Sequence, residues 1–446
     1  MSASSPALRT DGPSRSAVFG WLLAAWVYLL AVLHRTSLGV AGLLAQQRFG
    51  ITPAQLSVFI FLQLGVYAAM QIPTGILVDR YGPRRLLVVA ALVMGVAQLL
   101  FATVPSYPAA LLARVLLGAG DALTFVSVLR FAATHFSARR YPLLVALTGM
   151  TGTAGNVLAT LPLALLLHDA GWTTGFGIAA VLSLVAGLAV WALLPDATPR
   201  PQSVRDLGEL RTGVENVWAR VRVAWALPGT RLGFWVHFAC MSTGTAFGVL
   251  WGGPYLVKAA GFSPAGAGAV LMCGVLLAAV FGPLFGWLIG HRPALRVPLA
   301  LTICLLTIAG WTALVLAYSD VPPRGLVVAL FVFMALGGPA SMAAFALARD
   351  YNHSRTLGMA SGVVNVGGFV ATVIIALGIG WALDIQGATT PHTLRWAVLV
   401  AIGVQAFGAV RTTVWFLRLR AHNLGKQDQG EPVPVPVVRR RWDLPR

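Results

Sequence analysis

Charge is what this chain has least of, and acid least of all. Asp, Glu, Lys and Arg make up 10% of its 446 residues, and 14 acidic side chains face 32 Lys and Arg. A soluble domain carries roughly 25% charged residues, so a surface of this composition does not face water throughout. Cysteine is scarce too. Cys240, Cys273 and Cys304 each lie inside an apolar run, which argues against a disulfide framework and for small packing residues. No Walker A sequence is present, so ATP is not expected as the energy source. No nucleophile–base set and no cluster with metal-ligand spacing stands out, so no enzyme activity, metal or cofactor is expected. A net charge of +18 would suit a nucleic-acid partner in a soluble protein. Here the basic residues gather in alternate loops and at the two ends, without interleaved aromatics or a nucleic-acid module, so no nucleic acid is expected.

What fills the chain instead is hydrophobic sequence, 57% of all residues. A bilayer crossing needs about 20 apolar residues. Such stretches fall near 18–44, 55–78, 85–104, 107–134, 141–168, 172–194, 231–257, 264–290, 296–317, 325–348, 357–383 and 393–417. The fold class predicted is an all-α membrane protein of twelve transmembrane helices in two six-helix halves. The halves are 18–194 and 231–418, joined by a linker over 195–230 that holds Pro199, Pro201 and a charged stretch from Arg205 to Arg222. A tail over 1–17 precedes them and a basic tail over 419–446 follows. The latter is expected to be disordered and to touch anionic headgroups through Arg439, Arg440 and Arg441. Residues 1–16 are polar, and the apolar run after them exceeds a signal-peptide core, so no cleaved signal is expected. Loops on one side carry Arg80, Arg84, Arg85, Arg139, Arg140, Arg292, Arg296, Arg349 and Arg355, against Arg48, Lys258, Arg324 and Arg395 on the other. The bias predicts cytoplasmic termini in a multi-pass protein of the plasma membrane.

Two places concentrate chemistry. The first is the loop between spans two and three, Gly75-Ile76-Leu77-Val78-Asp79-Arg80-Tyr81-Gly82-Pro83-Arg84-Arg85. Its glycines permit close approach of helix ends, and Asp79 needs a cation beside it, with Arg80, Arg84 and Arg85 near in sequence and Arg130 at the inner end of span four. The second is the set of ionisable residues inside the spans: His34 and Arg35 in span one, Arg114 and Asp121 in span four. Each is expensive in hydrocarbon and therefore a functional candidate. Arg114 and Asp121 are seven residues apart, hence on one helical face. With two arginines for one carboxylate, either a mutual ion pair locks spans one and four, or a substrate anion completes the set.

The loop pattern G-x-L-x-D-R-x-G-x-R-R resembles the signature between spans two and three of the major facilitator superfamily of secondary transporters. Gly286-Trp287-Leu288-Ile289-Gly290-His291-Arg292 keeps the frame of a second copy, with Gly290 where the Asp would stand. A narrower resemblance rests on His34-Arg35-Thr36-Ser37-Leu38, on Arg114 with Gly118, Gly120 and Asp121, on Asn365 within Gly362–Gly368, and on Trp251-Gly252-Gly253-Pro254-Tyr255-Leu256. These are similar to the anion:cation symporters, the group of sialin and the sugar-acid/proton symporters. The resemblance implies alternating-access, proton-coupled symport of a small organic anion by a monomer. It places Arg35, Arg114 and Asn365 at the substrate, Asp121 on the coupling proton, and Gly75, Asp79, Arg80, Gly82, Arg84, Arg85 and Arg130 in the gate; His34, beside Arg35, is a further candidate at the substrate, or else a helix-packing histidine. Many members have an acid where His34 stands, which points to fewer coupled protons here. An exporter or antiporter of an amphipathic compound, or a non-transporting sensor with a transporter fold, are the other readings the sequence allows.

Overall fold

The computed structural model describes residues 15–51, 53–194, 217–318, 321–387, 390–435, 437 and 439. It is built of helices: α1 Arg15–Thr36, α2 Leu38–Phe49, α3 Pro53–Thr103, α4 Tyr107–His135, α5 Tyr141–Leu193, α6 Val217–Ala226, α7 Pro228–Ala246, α8 Pro264–His291, α9 Arg296–Ala317, α10 Arg324–Tyr351, α11 Leu357–Ile385 and α12 Pro391–Asp428. Among the described residues ten helices are long and apolar enough to cross a bilayer. Helix α5 supplies two of the ten, Tyr141–Ala159 and Leu165–Leu193, and the difference from the twelve expected spans lies at two places. Helix α3 is hydrogen-bonded as one 51-residue helix, yet it turns at Gly82 (φ 79, ψ 161), so expected spans two and three share it. That backbone lies in the region only glycine enters at no cost, and Pro83 opens the second limb with its φ already fixed. The expected seventh span begins as α7 but passes through π turns at Phe247–Trp251 and Tyr255–Ala259. Gly248, Gly252, Gly253 and Pro254 crowd this stretch, and Trp251 ties it sideways by donating to the Ala376 carbonyl at 2.9 Å.

Helices α1 to α5 pack on one another, as do α7 to α12, and two seams join the sets. In one, α3 lies on α11; in the other, the start of α5 lies on α8. Away from Asp79, interlocked aromatic rings tie the helices within each set. Phe101 packs on Trp172 and Phe176 in the first, and Phe247 on Trp311 and Phe331 in the second. Such ring pairs add to the apolar burial that holds helices together in lipid. The Cys240 and Cys304 sulfurs lie 3.1 Å apart between α7 and α9 as free, buried thiols.

Within the expected linker, α6 packs Val221, Ala224 and Trp225 against Ile72 and Ile76 of α3 and Met359 and Val363 of α11, while 195–216 lies outside the described residues. One expectation about the ends needs correction: the tail expected to be disordered is helical to Asp428. Beyond it the chain folds back, Asn423 donating to the Tyr351 hydroxyl (2.7 Å) and Val435 carbonyl (3.4 Å), and Arg439 pairing with Asp428. The apolar Val433 and Val435 and these bonds explain the docking that a reading by charge alone overlooks.

Candidate functional site

The α1–α2 junction sets the site. Thr36 and Ser37 turn their hydroxyls back onto the carbonyls of Val32 and His34, at 2.9 and 2.8 Å, which competes with the helical ladder and ends α1 at this point. Arg35 therefore projects from the last turn of α1, where a cation is favoured by the helix dipole. It meets Asp121 of α4 in a two-pronged pair, Nε to Oδ2 and Nη2 to Oδ1, both 2.7 Å. The Asp121 side chain is 1% exposed and the Arg35 side chain keeps 18%, so the pair is buried on its Asp121 side and Arg35 is partly exposed. Tyr67 of α3 lays its ring 4.5 Å from the Arg35 guanidinium carbon. From there the contacts cross to the other set of helices. Asn365 of α11 donates to Gln71 at 2.7 Å and to the Tyr67 hydroxyl at 3.5 Å, and Phe369 packs on the Tyr67 ring at 4.9 Å. His237 of α7 lies nearby against Gly368, with its Nδ1 3.5 Å from the Ser341 carbonyl and its Nε2 unmatched.

Two of the sequence candidates stand elsewhere. Arg114, expected to share one cavity with Arg35, is wholly buried on α4 against α1 and α3. Its Cζ lies 3.8 Å over the Phe101 ring, its Nη1 reaches the His34 carbonyl and Gln63 at 3.4 Å, and its Nε and Nη2 have no partner. The seven-residue spacing from Asp121 is right for one face, but seven residues also mean about 10 Å along the axis. That distance puts Asp121 within reach of Arg35 and leaves Arg114 to the aromatic end. His34, expected at the substrate, points about 100° around α1 from Arg35 and bonds Ser183 of α5 at 2.6 Å. It packs α1 on α5, away from the seam between the sets.

The Asp79 end is closed. Asp79 accepts from the backbone N–H of Gly358 (2.8 Å) and Met359 (2.9 Å), two first-turn donors of α11 that have no partner in their own helix. Arg130 approaches the same carboxylate at 3.5 Å, with both side chains under 10% exposed. Gly75 and Gly358 allow this fit, since a Cβ on Gly75 would stand 2.7 Å from the Gly358 carbonyl oxygen. Arg84 donates to the Trp191 carbonyl at 2.5 Å, and Arg80 stacks on Tyr81. On the second seam Gly290 explains its own departure from the repeat: any Cβ there would meet the Arg139 carbonyl oxygen at 2.2 Å, so an Asp has no room. Sequence reasoning missed Arg349, which donates to the Ala133 and Phe136 carbonyls at the end of α4 and is flanked by an Arg296–Asp350 ion pair. It also missed Tyr67. Neither residue has a spacing signature; each acts across helices far apart in sequence.

Two sets of membrane helices, joined at one end around Asp79 and carrying a buried ion pair between spans, have the build of a membrane transporter. A sequence profile of the Major Facilitator Superfamily matches residues 24–322, and the chain belongs to that family. It is 26% identical over 278 residues to a probable sulfoacetate transporter, SauU, of Cupriavidus necator, a match spanning 60% of this chain and 63% of that protein. It is 22% identical over 402 residues to a probable galactarate/D-glucarate transporter, GudP, of Escherichia coli, spanning 84% and 88%. The fold is shared with the E. coli fucose:proton symporter FucP, at a TM-score of 0.68 and 16% identity over 89% of this chain and 99% of that one.

The latch at Asp79 leads to a first prediction. Asp79→Asn retains one acceptor oxygen for the α11 amides and loses the charge that faces Arg130. Turnover is expected to fall about tenfold, the effect of losing one charge-assisted hydrogen bond of about 1.5 kcal/mol, while substrate affinity stays within a few-fold. Parallel measurement of transport rate and equilibrium binding checks this; an unchanged rate contradicts it.

Proposed function

We propose that the protein carries a small organic anion together with a proton, and that the Arg35–Asp121 pair is where the two are coupled. The pair is neutral as it stands. A carboxylate or sulfonate entering from the partly exposed side competes for the Arg35 fork, which binds such groups with two parallel bonds. Asp121 is then left buried without its cation, a costly state that one proton relieves. Charge counting gives the linkage: the pair is 0, the bound monoanion makes it −1, and the proton returns it to 0. Each ligand therefore favours the other. The relatives named above are named for organic acids, which supports an anion as cargo.

In this reading Asn365, Gln71 and Tyr67 present polar edges from both sets of helices to the rest of the substrate. Arg114, with two unmatched nitrogens, is a reserve cation within the first set. The Lys and Arg bias supports a cytoplasmic position at the cell membrane for the Asp79 end and both termini; on this reading the form described is closed on the cytoplasmic side, and the unit of function is the monomer. Residues 18–194 and 231–418 act as the two moving bodies. The observation that carries the proposal is the two-pronged Arg35–Asp121 pair. Uptake of labelled sulfonates and sugar diacids into proteoliposomes, with and without a pH gradient, tests it. Arg35→Ala should weaken anion binding by about 1.5–3 kcal/mol, or roughly 10- to 150-fold, and Arg35→Lys should restore little. Normal transport by both variants would remove Arg35 from the substrate site.

A further inference from the structure

The flank formed by α6, α7 and α12 holds cations that meet no anion among the described residues. There α7 and α12 run antiparallel, Gly408 packing on Phe238 and Ala239. In that register Arg231 of α7 lies over the Trp415 ring at 4.8 Å, and Arg411 of α12 lies over Trp235 at 5.0 Å, each contact mirroring the other. Arg418 stacks on Trp415 at 4.9 Å, and Arg231 also reaches the ring and carbonyl of Trp225 on α6. Arg411, Trp415 and Arg418 fall at i, i+4 and i+7, one face of α12. Among the described residues no carboxylate pairs with Arg231, Arg411 or Arg418. Three further donors are buried without an acceptor: Arg411 Nε and the indole N–H groups of Trp235 and Trp415.

Cations without carboxylates and donors without acceptors describe a site complementary to an oxyanion. Its depth says which kind. Arg411 and Arg418 lie 20 and 27 residues beyond Pro391, the start of α12, hence about 30 and 40 Å along the axis, one bilayer core away from that end. This is headgroup level, where Trp and Arg gather. Phe407 and Val410, beside the arginines on α12, are exposed apolar side chains that lead from the cradle back into the hydrocarbon.

We propose that this flank binds an anionic phospholipid, its phosphate held by Arg231, Arg411 and Arg418 with the indole N–H groups of Trp235 and Trp415, its chains along Phe407 and Val410. The site is separate from the carried solute and does not depend on what that solute is. It adjoins the gate all the same, because Trp225 belongs to the helix that lies across the α3–α11 seam. The test uses the delipidated full-length protein in detergent, titrated with phosphatidylglycerol or phosphatidylcholine, with bound lipid counted by native mass spectrometry. One phosphatidylglycerol should be held roughly 30- to 150-fold more tightly than phosphatidylcholine, as expected for two or three arginines near a charged headgroup. In the Arg411→Gln/Arg418→Gln double variant that preference should disappear. Trp415→Phe keeps an aromatic face for Arg231 and Arg418 and removes the N–H, and should weaken phosphatidylglycerol a few-fold while phosphatidylcholine binding stays unchanged. Equal binding of the two lipids by the wild type overturns the proposal, as does a preference that survives in the double variant. Displacement of phosphatidylglycerol by millimolar inorganic phosphate also overturns it, making the cradle a free-anion site.

Discussion

Asp121→Asn is expected to abolish accumulation of an organic anion driven by a pH gradient, while exchange of that anion between preloaded and external pools continues. The amide keeps nearly the volume of the carboxylate and can still accept one bond from Arg35, so packing at a site 1% exposed is little disturbed. What it loses is the ability to change charge. Without that, the empty site is +1 rather than 0, and the bound monoanion brings it to 0 with no proton involved. Binding itself is therefore expected to hold or tighten, and to lose its pH dependence, because the competitor for Arg35 has gone. Counterflow in proteoliposomes isolates exchange, and uptake under an imposed pH difference isolates coupling. Concentration of substrate by the variant under that pH difference alone would show that the proton travels elsewhere.

The second large effect belongs to a residue with no side chain. Gly290→Ala places a Cβ 2.2 Å from the Arg139 carbonyl oxygen, a contact with backbone that no rotamer change relieves. The start of α5 and the end of α8 must separate, and this strain falls only on the conformation in which the Asp79 end is closed. Overpacking of this kind costs about 1–3 kcal/mol. That shifts the balance between closed and open forms of this end by roughly 5- to 150-fold. Spin labels at Arg140 and Arg292 report the change as a longer distance, and a distribution like that of the wild type would refute it. Gly286→Ala, whose Cβ would stand 2.7 Å from the Pro142 oxygen, should act in the same direction.

How much of this was legible in the sequence differs by residue. The Gly75–Arg85 loop announces a turn, a latch and a partner, and Asp79 does meet Arg130 and the start of α11. Such a motif is readable because its residues are close in sequence and each has a local reason. Asn365 was singled out by its resemblance to the symporters' span-eleven position, yet its partners Gln71 and Tyr67 were not, because a pairing 294 residues apart leaves no spacing to count. The partner of Asp121 was ambiguous for another reason. Helical periodicity puts Arg114 on the face of Asp121 and is silent on Arg35, which stands on another helix; only the depth of α1 against α4 decides for Arg35. The π turns after Ala246 escaped as well, since glycine and proline there announce irregularity without saying which kind.

Asp79 has one consequence beyond the latch. The Gly358 and Met359 amide protons are bound by a carboxylate from the opposite body, not by the helix that contains them. Their protection from exchange with deuterated water therefore measures the closed form and nothing else, since opening the seam uncovers both at once while α11 stays helical. Two adjacent backbone sites thus keep time for the whole transport cycle, without any label attached to the protein.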